Sequence, residues 1–238
     1  MINGLTPYYS DDAGAIYCGD CLEIMKHIPD KSVDLVLTDP PYFLPVQHYV
    51  GTRKKGYPKR TLADTSVLRG YFAQVLKEAD RITTPEGTLY VFCDGQSYPI
   101  FYQELFPYCK HVRPLIWDKM VSYNGYTWRH GHELIAWGER EQTKRVPTGD
   151  GDILRCRGVL QADRLHPAEK PVELLKKLIA KHDYETVIDL YAGSGSTCKA
   201  AQELGRKYIG IEISPEYCEI AKSRLADKGQ MSLFGGKQ

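Results

Sequence analysis

The stretch 186-TVIDLYAGSGSTCKAAQELGRKYIGIEI-213 decides the fold. A short apolar run, 186–193, meets a turn with two glycines, Gly193 and Gly195. A helical pattern follows over 196–205, and a second apolar run over 207–213 ends in the acidic Glu212. Strand, glycine turn, helix and strand in this order make a parallel β–α–β unit, whose crossover is almost always right-handed. Working outward, 215–227 continues with a helix, and 171–182 (PVELLKKLIAKH) precedes with an amphipathic helix opened by Pro171. Further back, strands are expected at 15–20, 33–39, 88–94, 112–118 and 133–139, with helices at 21–28, 66–82 and 98–109. Thr84-Pro85-Glu86-Gly87 should end the second of these helices. The expected architecture is α/β: a Rossmann-like, roughly seven-stranded, mostly parallel sheet with helices on both faces.

The glycine turn carries chemistry. Gly193 and Gly195 allow close backbone approach to a ligand, and Glu212 stands about 20 residues on, where an acid can bind two ribose hydroxyls. A dinucleotide site usually has a third glycine for helix packing; Cys198 occupies that place, which speaks against a nicotinamide oxidoreductase. Acids at both strand ends, Asp189 and Glu212, suit a cationic nucleoside such as S-adenosylmethionine. A tight turn without a ligand is the plainer alternative.

The strand at 33–39 ends in 37-LTDPPYF-43. Open α/β sheets place their sites at such carboxyl ends. Asp39 offers a carboxylate, Pro40 a backbone carbonyl, Pro41 stiffness and Tyr42 a flat face. Two acceptors beside an aromatic platform suit an exocyclic amine on a planar base. Accepting both N–H groups localises the nitrogen lone pair, so the amine can attack a methyl group in line. No covalent enzyme intermediate is needed, and the chain has no Pro-Cys dipeptide of the kind that sets the nucleophile in cytosine carbon-5 methylation.

DPPY at 39–42 together with AGSGST at 192–197 resembles the amino-methylating DNA methyltransferases. Because DPPY precedes the glycine turn, the order resembles the circularly permuted beta group. HPAEKPVELL (166–175) and GDCLEIMKHIPDKSVDLVLTDPPY (19–42) resemble the family's flanking stretches. The resemblance implies S-adenosylmethionine as donor, S-adenosylhomocysteine as product, no metal, and a flipped base in double-stranded DNA. Asp rather than Ser at the first motif position leans toward adenine N6 over cytosine N4. Position by position, it implies that Asp39 and Pro40 accept from the amine, Pro41 stiffens and Tyr42 stacks. Asp189, Ala192, Gly193 and Gly195 would border the methionine part, Glu212 the ribose, and Asp20 and Cys21 the adenine. Lys170, with Pro171 and His166, would lie near the methionine carboxylate. A bacterial or phage cytoplasm is the implied setting, near the nucleoid.

DNA contacts are expected from local charge, since the net charge is only +1. RKKGYPKR (53–60) supplies Arg53, Lys54, Lys55, Lys59 and Arg60 within a basic loop, 43–65, expected to be mobile without DNA. Segments 120–132 and 140–165 are the candidate target-recognition material. In the first, Tyr123, Trp128 and Arg129 are of types that wedge into stacks or read base edges, with core packing as the alternative. Cys18-x-x-Cys21 has no second pair of matching spacing, so zinc is disfavoured. Seven scattered cysteines give no disulfide framework and point to a reducing compartment; no run reaches membrane-span length. Residues 1–228 read as one domain and 229–238 as a flexible tail. In the tail, Gln230, Leu233 and Phe234 resemble the short peptide by which bacterial proteins dock on the sliding clamp, or else fold back on the body. A catalytically silent DNA- or clamp-binding module is the rival from another class.

Overall fold

The computed structural model describes residues 2, 4–41, 62–121, 127–143, 149–159, 165 and 168–227. Tyr42, the basic residues 53–60, Tyr123, His166 and the tail residues Gln230, Leu233 and Phe234 lie outside the described residues.

The expected seven strands form, and two short edge strands make the sheet nine-stranded. In chain order the strands are β1 (Tyr9–Ser10), β2 (Gly14–Cys18), β3 (Val33–Thr38), β4 (Thr83–Cys93), β5 (His111–Asp118), β6 (His132–Glu139), β7 (Ile153–Arg155), β8 (Thr186–Asp189) and β9 (Lys207–Glu212). The helices are α1 (Cys21–Met25), α2 (Leu62–Ile82), α3 (Tyr98–Leu105), α4 (Val172–Ile179), α5 (Ser196–Glu203) and α6 (Pro215–Ala226). Across the sheet the order is β1-β2-β9-β8-β3-β4-β6-β5-β7. β2, β9, β8, β3 and β4 run parallel, while β6 is antiparallel to both β4 and β5.

β3 explains its own composition. Val36 packs on the face covered by α1, α2 and α3, and Leu35 and Leu37 pack on the face covered by α4, α5 and α6. All three are fully buried. A strand covered on both faces cannot alternate apolar with polar residues. Each such side chain contributes roughly 1.5–3 kcal/mol of burial.

Thr84-Pro85-Glu86-Gly87 differs from expectation. α2 ends at Ile82, but these residues are absorbed into the start of β4 rather than forming a free turn. The β3–β4 register jumps from Val33↔Thr83 to Leu35↔Thr88, so the extra residues bulge. Gly87 is required there: a Cβ would lie 2.5 Å from Thr83 Cγ2 and 2.6 Å from the Asp34 carbonyl oxygen.

The crossovers diverge at β8 and β3. From β8 the chain moves through α5 to β9; from β3 it moves through α2 to β4, on the opposite side. The space above the carboxyl ends of β8 and β3 is therefore the topological switch point, where open α/β sheets leave a crevice. Among the described residues, no helix is long and apolar enough to cross a membrane.

Candidate active site

A cleft of about 420 Å³ opens at that switch point. Thr38, Asp39, Pro40 and Pro41 reach it from β3, and Phe92 from β4. Asp189, Tyr191, Ala192 and Gly193 line it after β8, and Glu212, Ile213 and Ser214 after β9. Glu169 and Lys170 close the side before α4.

The β8 turn is built from its glycines. Gly193 has φ 50° and Gly195 has φ 78°, both in the left-handed region. A Cβ on Gly195 would lie 2.9 Å from Ala221 Cβ of α6, so that position also permits close helix approach. Ala192 N–H donates to the Ile211 carbonyl at 2.8 Å, tying the turn to β9. Gly195 caps α5 but does not itself line the cleft.

Two buried carboxylates face this turn. Glu212 accepts from the Gly193 N–H at 2.8 Å through one oxygen and from the Ser214 N–H at 2.8 Å through the other. Asp189 accepts from the Thr38 hydroxyl at 3.0 Å and from the Tyr191 N–H at 3.1 Å. Burial pushes the Asp189 carboxyl up to about 6; the Thr197, Tyr191 and Thr38 donors oppose that rise, and the nearby Asp39 adds to it. Beside Glu212, Ile213 leaves 69% of its surface exposed, an apolar patch a planar ring would cover. Carboxylates held by neutral donors, next to an apolar shelf, fit the ribose, purine and cationic end of S-adenosylmethionine.

Asp39 is half-buried and differently held. Lys170, expected beside a methionine carboxylate, brings its ammonium to Asp39 Oδ2 and stands 3.4 Å from Glu133 Oε2. Burial alone would lower the Lys170 pKa; Asp39 and Glu133 outweigh it and raise it. Burial would raise the Glu133 pKa, but Lys170 and Lys119 bring it below the usual range. Pro40 is buried and Pro41 exposed, so the corner projects from the core.

Asp20 and Cys21 stand at the end of β2, the strand beyond β9, and are not part of the cleft lining. Asp20 caps α1, accepting from Leu22 N–H at 2.8 Å. Cys21 Sγ lies 3.6 Å from the Tyr71 hydroxyl, which accepts from the cleft residue Tyr191 at 2.9 Å. All seven cysteines are free thiols. Among the described residues, no group of three or more His, Cys, Asp or Glu side chains could hold a metal ion.

β6 runs antiparallel to β4, so its first residues meet the carboxyl end of β4: Leu134 pairs with Cys93. The described ends of the β5–β6 connection, 119–121 and 127–131, therefore stand on the cleft edge of the sheet, joined by Lys119 N–H to the Gly131 carbonyl at 2.9 Å. They carry Trp128, 86% exposed, and the exposed Arg129. Within 140–165, where the sequence shows little periodicity, β7 pairs parallel to β5. Glu133, Lys119 and Thr38 escape sequence reasoning; the one available signal is an acid opening a strand at this edge.

The sequence profile of a DNA methylase family matches residues 33–223. The chain is 32% identical to YubD of Escherichia coli (strain K12), named as a methylase, over 215 residues, 87% of this chain and 88% of that one. It is 27% identical to the type II methyltransferase M.BamHI of Bacillus amyloliquefaciens over 279 residues, covering 99% of this chain but spanning only 62% of that relative. Among solved structures, PvuII DNA methyltransferase (cytosine-N4-specific) superposes with TM-score 0.76 at 19% identity, over 95% of this chain and 91% of that one. A DNA modification methylase of Thermus thermophilus, complexed with S-adenosyl-L-methionine, gives TM-score 0.69 at 21% identity over 89% and 92%. With the glycine turn and the DPP corner opening on one cleft, and the profile spanning most of the sheet, the chain belongs to the N6/N4 DNA methylase family.

Proposed function

We propose that this protein transfers a methyl group from S-adenosylmethionine to the exocyclic N6 of an adenine turned out of duplex DNA. One observation carries the reading: Asp39 and Pro40 end β3 on the same cleft into which the Gly193 turn and Glu212 open from β8 and β9. The motif order is that of the permuted beta group, with the catalytic corner ahead of the glycine turn.

S-adenosylmethionine supplies a methyl group activated by a positively charged sulfur. Glu212, whose oxygens each accept one backbone N–H, keeps lone pairs for ribose hydroxyls. Ile213 covers one purine face, and Asp189 faces the cationic end. Asp39 and Pro40 accept the two N–H groups of the target amine, and Tyr42 stacks on its ring. Held in that way, the nitrogen lone pair points at the methyl carbon. With the donor bound, the N–C bond would form as the S–C bond breaks, the electron pair staying on sulfur, and the Asp39 carboxylate would pass the amine proton to water. The basic residues 53–60 hold phosphates, while Trp128 and Arg129 approach the duplex from the cleft edge.

Asp at the first motif position supports adenine. Cytosine N4 is the second reading, favoured by the fold likeness to a cytosine-N4-specific enzyme. Expression in a methylation-free host, followed by nucleoside analysis of its DNA, tests both. N6-methyladenine is expected; N4-methylcytosine would move the assignment to the second reading. Donor binding with neither product would favour the silent binding module. The tail reading extends the proposal to the bacterial sliding clamp: deletion of 230–234 abolishes clamp pulldown and spares methylation of oligonucleotides. Equal pulldown with and without the deletion removes that partner.

A further inference from the structure

An ammonium group sits where the target amine has to go. Lys170 Nζ pairs with Asp39 Oδ2 and also lies 3.4 Å from Glu133 Oε2. The other Glu133 oxygen accepts from Lys119 Nζ at 2.5 Å. Four charges thus alternate in sign from the cleft outward: Asp39, Lys170, Glu133, Lys119. Aromatic faces wall the ladder, Phe92 at 5.0 Å from the Lys170 ammonium and Trp117 at 5.0 Å from that of Lys119. Lys170 is 7% exposed, so little water can take over its charge.

A neutral amine donates a weaker hydrogen bond to a carboxylate than an ammonium does. It cannot displace Lys170 from Asp39 if that leaves a buried ammonium without an anion. Stranding such a charge would cost on the order of a hundredfold or more in occupancy. Glu133 removes that cost, because it already stands beside Lys170 and is itself steadied by Lys119. We propose that Glu133 is a positioning residue that takes over Lys170 when the target amine binds Asp39, so that base entry exchanges ion-pair partners instead of breaking an ion pair. The inference rests on the proposed amine methylation and adds to it the route by which Asp39 becomes available.

The test uses single-turnover methyl transfer to unmethylated genomic DNA at saturating donor, with donor affinity titrated separately. Glu133→Gln keeps the side-chain volume but leaves Lys170 with Asp39 as its one anionic partner in the ladder. Its single-turnover rate constant at subsaturating DNA should fall by about tenfold or more, the Gln carbonyl recovering part of the hundredfold cost as a neutral acceptor, with donor affinity unchanged. Adding Lys170→Gln removes the competing ammonium, and the double variant should regain about threefold or more over Glu133→Gln. A purely structural role predicts the reverse, a double variant slower than the single. That result, or loss of donor affinity in Glu133→Gln, or a Glu133→Gln rate equal to wild type, overturns the exchange while leaving the methylation reading intact. A wild-type protein that binds donor but methylates no DNA overturns both.

Discussion

The two sides of the cleft hold their carboxylates by opposite means. On the β8 and β9 side, the partners of Asp189 and Glu212 among the described residues are neutral donors: backbone N–H groups and the Thr38 and Thr197 hydroxyls. On the β3 side, Asp39 is held by the Lys170 ammonium. Neutral donors fix geometry without cancelling charge, so the first side keeps a negative field for a cationic ligand. A cationic partner cancels charge, and it can be exchanged for another donor. The first arrangement suits binding and the second suits a turnover in which substrate comes and goes.

This division is broken most sharply at Asp39. Asp39→Ala should lower methyl transfer by about a thousandfold, the scale expected for loss of a group that acts on the reacting amine. Donor affinity, measured by calorimetry, should stay within about twofold. A parallel fall in donor affinity would mean that the β3 side also binds donor, and the contrast would be lost. Glu212→Gln comes next. Both Glu212 oxygens accept a backbone N–H, so either orientation of the amide turns one of its own N–H groups toward Gly193 or Ser214. Donor affinity should drop about ten- to a hundredfold, and the free protein should lose about 1–3 kcal/mol, read from chemical denaturation. DNA affinity without donor should not change. An unaltered donor affinity would remove Glu212 from the binding side.

How much of this was legible beforehand follows from what is local. The seven longer strands announce themselves by apolar runs, and Asp39, Asp189, Gly193 and Glu212 by their places at strand ends. β1 and β7 do not, because strands of two and three residues have no periodicity and are held by pairing to β2 and β5. Pro85 and Gly87 read as a turn because the residues that pair around them, Val33 and Leu35, are distant in sequence. The Lys170–Asp39 pair spans 131 residues. Glu133 arrives from β6, which turns its first residues to the cleft only because it runs against β4. Such partners are set by the order and direction of strands, and no short motif records them.

The smallest expected effect probes the charge on the binding side through pH. Burial puts the Asp189 carboxyl at about 6, above the usual 3.8. The folded chain therefore holds that proton more tightly than the unfolded chain. The resulting stability is fully present below about pH 4 and is lost as pH rises through about 6, an effect of about 3 kcal/mol. Glu133 acts with the opposite sign: its carboxyl lies below the usual 4.5, so its contribution is present above that pH and lost as pH falls. Melting curves mix the two, and ligand binding separates them. A cationic donor favours ionised Asp189, so below pH 6 its binding must release a proton. Donor affinity should rise about tenfold from pH 5 to pH 7 and then level off. S-adenosylhomocysteine, which lacks the sulfonium charge, should show a shallower rise, and Asp189→Asn should flatten the profile for both. Equal slopes for the two ligands would mean that Asp189 does not sense the sulfur; a flat wild-type profile would mean that its charge plays no part in holding the donor.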